Sequence, residues 1–271
     1  MDRYVVIGNP VSHSLSPAIQ ARFAQQTGDA IEYGTLLVPA GRFTIHARDF
    51  FAGGGKGANV TLPFKVDAYH WADERTERAQ VAGSANFLAP RTGAIVADNT
   101  DGVGLVNDLA NNLGFAIKGR SILLLGAGGA ARGVIAPLLA NHPARFAIAN
   151  RTVERARSLA AHFAARGNLE AVALDAIPAD HFDLILNATS ASTQGETLQL
   201  PQRLFDSATL AYDMAYGSAA RPFLERAREC GVKVSDGLGM LVEQAAESFF
   251  LWRGKRPATA EVLAELRLRA A

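Results

Sequence analysis

Short apolar runs alternate with stretches in which apolar residues recur every three or four positions, and the alternation persists along the chain. The short runs predict strands and the longer stretches predict amphipathic helices. Strands are expected at 4–8 (YVVIG), 31–38 (IEYGTLLV) and 57–61 (GANVT). Helices are expected from Pro17 to Thr27, from Phe43 to Ala52 and through PFKVDAYHWA, 63–72. ANFLAP and AIVADN straddle Arg91-Thr92-Gly93, which predicts a hairpin. Further strands are expected at Ile122 to Leu125, Phe146 to Ala149, 171–175, 184–189, 209–214 and 232–236. Between them fall helices from Thr152 to Ala165, with Thr152 as a candidate N-cap, and from Arg221 to Cys230. From Leu238 onward the pattern is helical, and Gly254 and Pro257 separate two helices.

Strands alternating with helices predict an α/β protein with largely parallel sheets. Two domains around a cleft are expected. Residues 1–101 form an N-terminal α/β substrate domain, 102–236 a Rossmann dinucleotide-binding domain, and 237–271 C-terminal helices packing back on the first. The last element needs an apolar partner for its Leu241, Ala245 and Phe249 stripe, and the first domain offers one.

The segment SILLLGAGGAARGVIAPLLANHPARFAIANRT, 121–152, narrows the function. An apolar strand runs into Gly126-Ala127-Gly128-Gly129-Ala130-Ala131, and a helical pattern and a second strand follow. This is the strand–turn–helix–strand setting of a dinucleotide fingerprint. Gly126 permits the tight turn, Gly128 lets backbone approach a pyrophosphate at the positive helix end, and Ala131 keeps helix and strand close. An NAD site usually ends its second strand with a carboxylate for the ribose 2′-hydroxyl; this chain has Arg151 there and Arg155 one turn on. A guanidinium suits a 2′-phosphate, so NADP is the expected cofactor.

Composition excludes several alternatives. The chain has 271 residues, 49% hydrophobic and 20% charged, enough to bury a sizeable core. A net charge of +1 gives no support for a nucleic-acid or membrane surface. One cysteine, Cys230, rules out an internal disulfide framework and fits a reducing cytoplasm. The histidines show no metal-ligand spacing, so no metal is expected. The strand-like opening predicts no secretory leader, and no apolar run has transmembrane length.

The first domain carries four polar clusters. In SHSLSP, Ser14 and Ser16 alternate, so both hydroxyls can face one way, and Ser16 is also a candidate N-cap. In NVTLPFK, Asn59 and Thr61 share a strand face, and Lys65 lies on the first turn of the next helix, where its charge opposes the helix dipole. Asn86 lies in the hairpin, and DNTDG brings Asp101, an N-cap for the next helix, a catalytic carboxylate or both. Amides, hydroxyls, a cation and a carboxylate suit a small polyhydroxylated substrate, with Lys65 and Asp101 as the acid–base unit. Burial lowers a lysine's pKa and a nearby carboxylate raises it, so spacing alone leaves that balance open. Further on, NATS, 187–190, ends a strand of the cofactor sheet, and DGLGMLVEQAA, 236–246, opens the C-terminal helix with Gln244 on it.

These motifs, SLSP, GANVTLPFK, DNTDG, LLGAGGAAR, ANRT, NATS, YDMAY and DGLGMLVEQAA, span nearly the whole chain in an order that resembles the shikimate dehydrogenase family. The resemblance implies NADPH-dependent reduction of 3-dehydroshikimate to shikimate. It makes Lys65 and Asp101 the catalytic pair, and Ser14, Ser16, Asn59, Thr61, Asn86, Tyr216 and Gln244 substrate contacts. Asn150, Arg151, Thr152 and Arg155 match the 2′-phosphate site, while Gly126, Ala127, Gly128, Gly129, Ala130, Thr189, Met214, Gly237 and Met240 complete the cofactor set. The chain departs from the family at Phe87, where a small polar residue is common, and in GSAAR after Tyr216. Two rivals remain: a quinate/shikimate dehydrogenase of broader specificity, often with NAD, and an NADPH sensor without turnover. A homodimer is left open.

Overall fold

The structure is a computed structural model that describes residues 1–178, 180–189, 191, 198–205, 208 and 210–270. Ser190 of NATS and Thr209, at the start of an expected strand, lie outside the described residues. The chain divides into two compact units, Met1–Gly104 with Leu241–Ala271, and Leu105–Met240.

In the first unit the described strands form a mixed sheet in the order β2-β1-β3-β5-β6-β4. β1 (Asp2–Gly8) pairs in parallel with β2 (Ile31–Leu37) and β3 (Gly57–Val60). The hairpin of β5 (Phe87–Arg91) and β6 (Ala94–Asp98) turns at Thr92 and Gly93, both at positive φ. Helix α1 spans Ser16–Thr27, α2 Phe43–Ala52 and α3 Lys65–Trp71. Strand β3 stops one residue short of Thr61, and α3 starts at Lys65 rather than at Pro63. Ile7, Val38, Phe43, Val60, Phe64 and Leu88 form a buried cluster on this sheet.

The periodicity missed β4 (Glu74–Arg75) and α4 (Glu77–Ala82). Elements of two and six residues are too short to display a period. α4 is fixed by its ends instead: the Thr76 hydroxyl accepts the Ala79 amide at 3.3 Å, and Gly83 closes the helix at φ 59°.

The second unit holds an all-parallel sheet with described strands in the order β12-β11-β10-β7-β8-β9. β7 is Ser121–Leu125, β8 Arg145–Asn150, β9 Glu170–Ala173, β10 Leu184–Asn187, β11 Leu210–Asp213 and β12 Lys233–Asp236. The order reverses between β7 and β10, and ligands of such sheets bind outside the strand carboxyl ends at that switch point. Leu123, Leu125, Ala147, Ile185 and Phe205 pack the core on the sheet. Helices α6 (Gly129–Ala140), α7 (Val153–Phe163) and α8 (Arg221–Glu229) connect the strands. Helix α5 (Asp101–Asn107) runs into a π-helical turn, Asp108–Asn112. Among the described residues no helix is long and apolar enough to cross a membrane.

Helix α9 (Leu238–Arg253) is followed by α10 (Ala260–Ala270), and Leu241–Ala271 belongs to the first unit. Ala245 and Phe249 are buried, and the Phe249 ring meets Phe23 of α1 edge-on at 6.0 Å. Burying one such ring stabilises by about 1.5–3 kcal/mol. α9 also buries Glu243, Gln244, Glu247 and Ser248, which its apolar stripe does not explain.

Candidate active site

Lys65, Asp101, Asn86 and Gln244 come from distant parts of the sequence and meet in the first unit. Lys65 Nζ donates to Asp101 Oδ2 at 2.5 Å, and Asn86 Nδ2 donates to Asp101 Oδ1 at 2.8 Å. The Lys65 side chain remains 17% exposed and that of Asp101 6%, so a ligand can reach the cation. Asp101 is the first residue of α5 rather than the residue before it, where an N-cap stands, and both its oxygens accept from side chains. Its charge still lies at the favourable end of the α5 dipole. Lys65 opens α3 at the unfavourable end, and Asp101 supplies the counter-charge.

Asn86 organises the rest. Its Nδ2 also lies 2.9 Å from Thr100 Oγ1 and 3.1 Å from Gln244 Oε1, three acceptors for two hydrogens. Its Oδ1 accepts the Thr100 amide at 2.8 Å. Asn59 is pinned from three sides: Nδ2 donates to the Asn86 carbonyl at 3.1 Å and to Ser248 Oγ at 2.9 Å, while Oδ1 accepts from the Tyr33 hydroxyl at 2.7 Å. Its amide hydrogens are thus engaged, and a ligand can use only the remaining oxygen lone pair. Burial pushes the Tyr33 hydroxyl well above its ordinary pKa, which keeps it a donor.

Ser14 and Ser16 meet each other rather than this network. The Ser14 hydroxyl accepts the Ser16 amide at 3.2 Å, Leu15 holds the N-cap position, and Ser16 is the first residue of α1. Ser16 is therefore not the N-cap that the sequence offered as an alternative. Thr61, half-buried just past β3, gives its amide to the Ile7 carbonyl at 2.9 Å.

In the second unit, Gly126 takes φ 103° and donates its amide to the Ala149 carbonyl at 2.8 Å. A Cβ there would lie 3.1 Å from the Ala188 backbone and Thr189 Cγ2, so only glycine fits. Ideal Cβ atoms at Gly128 and Gly129 meet nothing within 4 Å, which leaves open room over the start of α6. Gly128 holds the N-cap position of α6 and offers no side chain to the first-turn amides. Asn150 ends β8 and bonds the Thr152 carbonyl at 2.9 Å, beside the exposed Arg151 and Arg155. An open glycine cradle with cations at the end of the second strand fits a pyrophosphate and a 2′-phosphate. Thr152 stands at the α7 N-cap position, as the sequence suggests, without a side-chain cap bond.

Comparison with known proteins decides the family. The model of the shikimate dehydrogenase substrate binding domain matches residues 6–88, that of shikimate / quinate 5-dehydrogenase 108–206, and that of the shikimate 5′-dehydrogenase C-terminal domain 237–267. A shikimate dehydrogenase (NADP(+)) of Chromobacterium violaceum is 53% identical, covering 98% of this chain and 98% of its own. The chain belongs to the shikimate dehydrogenase family. Among solved structures, an Ael1 enzyme from Pseudomonas putida aligns with a TM-score of 0.92 at 44% identity, over 98% of both chains. Shikimate 5-dehydrogenase from Thermus thermophilus, in complex with NADP(H) and shikimate, aligns with 0.86 at 33% identity over 100% of both.

The structure of this shikimate dehydrogenase family member adds residues that the motifs did not single out. Thr100, Ser248 and Tyr33 complete the Asn86–Asn59 network. Ser248 was findable, because it lies one helical turn beyond Gln244. Asn187 Nδ2 donates to Asp213 Oδ2 at 2.8 Å and its Oδ1 accepts the Thr189 amide and hydroxyl, fixing the strand ends that carry Thr189 and Met214. Asp236 accepts the Gly217 and Leu238 amides, which shapes the turn holding Gly237 and Met240 and the approach to Tyr216. Asp108, fully buried on the π-helical turn, accepts from the Tyr212 hydroxyl at 2.7 Å and occupies the space that Gly239 leaves open. The Phe87 ring stacks on Trp252 of α9 at 5.1 Å, so it anchors that helix by an aromatic contact.

Proposed function

We propose that this protein catalyses the reversible reduction of 3-dehydroshikimate to shikimate with NADPH, an oxidoreductase step of aromatic amino-acid biosynthesis. The observation that carries the reading is the Lys65–Asp101 contact of 2.5 Å in a chain of this family. NADPH, when bound, supplies the hydride to the C3 carbonyl carbon of the substrate. The Lys65 ammonium gives its proton to the carbonyl oxygen, leaving the alcohol, and Lys65 recovers a proton from solvent. Asp101 holds the Lys65 amine at one position and balances its charge, so the proton donor is oriented before reaction. In the oxidative direction the same amine accepts the proton.

The remaining roles follow donor chemistry. Ser14, Ser16, Asn59, Thr61, Asn86, Tyr216 and Gln244 offer the hydroxyls and amides that a polyhydroxylated acid needs. Gly126, Ala127, Gly128, Gly129 and Ala130 cradle the pyrophosphate. Asn150, Arg151, Thr152 and Arg155 take the 2′-phosphate, and Thr189, Met214, Gly237 and Met240 take the nicotinamide half. The free Cys230 suits a reducing cytoplasm.

Turnover with shikimate and quinate, each against NADP⁺ and NAD⁺, tests this. Shikimate with NADP⁺ is expected to give the highest kcat/KM. Preference for quinate with NAD⁺ would establish the broader enzyme instead, and cofactor binding without turnover of either substrate would establish the sensor.

A further inference from the structure

Helix α4, which the hydrophobic pattern missed, carries Arg78. Its Nε donates to Asp98 Oδ1 at 3.0 Å and its Nη2 to Asp98 Oδ2 at 2.5 Å, a two-pronged grip on one carboxylate. The remaining prong, Nη1, donates to Glu247 Oε1 at 2.9 Å. Asp98 ends β6 and Glu247 lies on α9, and both are buried. Burial opposes the Arg78 charge, but the two carboxylates outweigh it and raise the guanidinium pKa. Burial likewise opposes the Glu247 charge, and Arg256 and Arg78 together hold its carboxyl below the ordinary range.

Each arm leads to a residue of the proposed site. Asp98 Oδ1 accepts the Asn99 amide at 2.7 Å, Asn86 Oδ1 the Thr100 amide at 2.8 Å, and Asn99 Oδ1 the Asp101 amide at 3.1 Å. Three successive backbone amides are thus held by side-chain oxygens, and the last belongs to Asp101. On the other arm, Glu247 lies three residues beyond Gln244, on the same helix face. Resting on the reading of Lys65 and Asp101 as the acid–base pair, we propose that Arg78 is a positioning residue that fixes the loop presenting Asp101 and the helix presenting Gln244. Lysine cannot replace it fully, because a point charge on a flexible stem does not supply three directed donors to two carboxylates.

Arg78→Ala, Arg78→Lys and Glu247→Gln test this through steady-state kinetics and hydrogen exchange at residues 99–101. For Arg78→Ala, kcat should fall by roughly 10–100-fold and KM for shikimate should rise, while KM for NADP⁺ stays within about two-fold. Arg78→Lys should recover part of the loss. Glu247→Gln should raise KM for shikimate more than it lowers kcat. Exchange at 99–101 should quicken in both Arg78 variants. A folded Arg78→Ala protein with native kcat and KM, or unchanged exchange at 99–101, overturns the proposal. If Arg78→Ala does not fold, Arg78→Lys makes the same comparison. Exchange is read without substrate, so a wild-type protein that failed to oxidise shikimate would sink the activity and leave the positioning role to be judged at 99–101.

Discussion

At the residue scale, the proposed cofactor preference rests on Arg151. Arg151 replaces the carboxylate that an NAD site would place at the end of β8, and its exposed guanidinium is open to a phosphate. Arg151→Ala should raise KM for NADP⁺ by the loss of a charge-assisted bond, about 1.5–3 kcal/mol, and barely move that for NAD⁺. Equal weakening toward both cofactors would show that it does not read the 2′-phosphate. Gly239 has a different necessity. An added Cβ would lie 1.9 Å from Asp108 Oδ1, so Gly239→Ala should lower the melting temperature through overpacking of about 1–3 kcal/mol. An unchanged melting temperature would mean that Asp108 swings aside. Asp29 adds a pH dependence: a bond from Thr27, together with Arg253 and Lys255, holds its carboxyl at about 2. A depressed folded pKa contributes stability that is complete above the unfolded value of about 4 and is lost as pH falls toward about 2. Asp29→Asn should therefore lower urea resistance at about pH 6, with the gap to wild type narrowing near about pH 3. A gap independent of pH would show that the carboxylate charge is not what matters.

At the scale of elements, the sequence was most legible where a strong period or a rigid turn left no choice. The β7–Gly126–α6–β8 segment declared itself by apolar runs around glycines, and α2 occupies Phe43–Ala52 as the pattern predicts. α4 was not legible, because six residues are held by a Thr76 cap and a Gly83 stop rather than by an apolar stripe. The lysine, carboxylate and amides of the site were visible as polar residues in the wrong places. Their connections were not: Asn86, Asn59 and Ser248 join through long-range bonds that no local pattern encodes. Phe87 was equally opaque, since only the return of α9 gives its ring Trp252 as a partner. Gln244 tests the α9 arm directly. It accepts from Asn86 at 3.1 Å, so Gln244→Ala should raise KM for shikimate more than for NADP⁺, by about 1–2 kcal/mol. A larger effect on NADP⁺ would remove Gln244 from the substrate side.

At the scale of the whole molecule, the proposed roles separate by unit. Lys65 and Asp101 belong to the unit of Met1–Gly104 with Leu241–Ala271, and the glycine cradle with Arg151 belongs to Leu105–Met240. Proton transfer and cofactor capture can therefore be removed one at a time. The most direct test of the account is Lys65→Ala, followed by NADPH formation from shikimate and NADP⁺ and by calorimetric titration with NADP⁺. Losing a positioned acid–base group should lower kcat on the order of 10²–10⁴-fold while the NADP⁺ affinity stays at its wild-type value. A Lys65→Ala protein that turns over shikimate at the native rate would contradict the account.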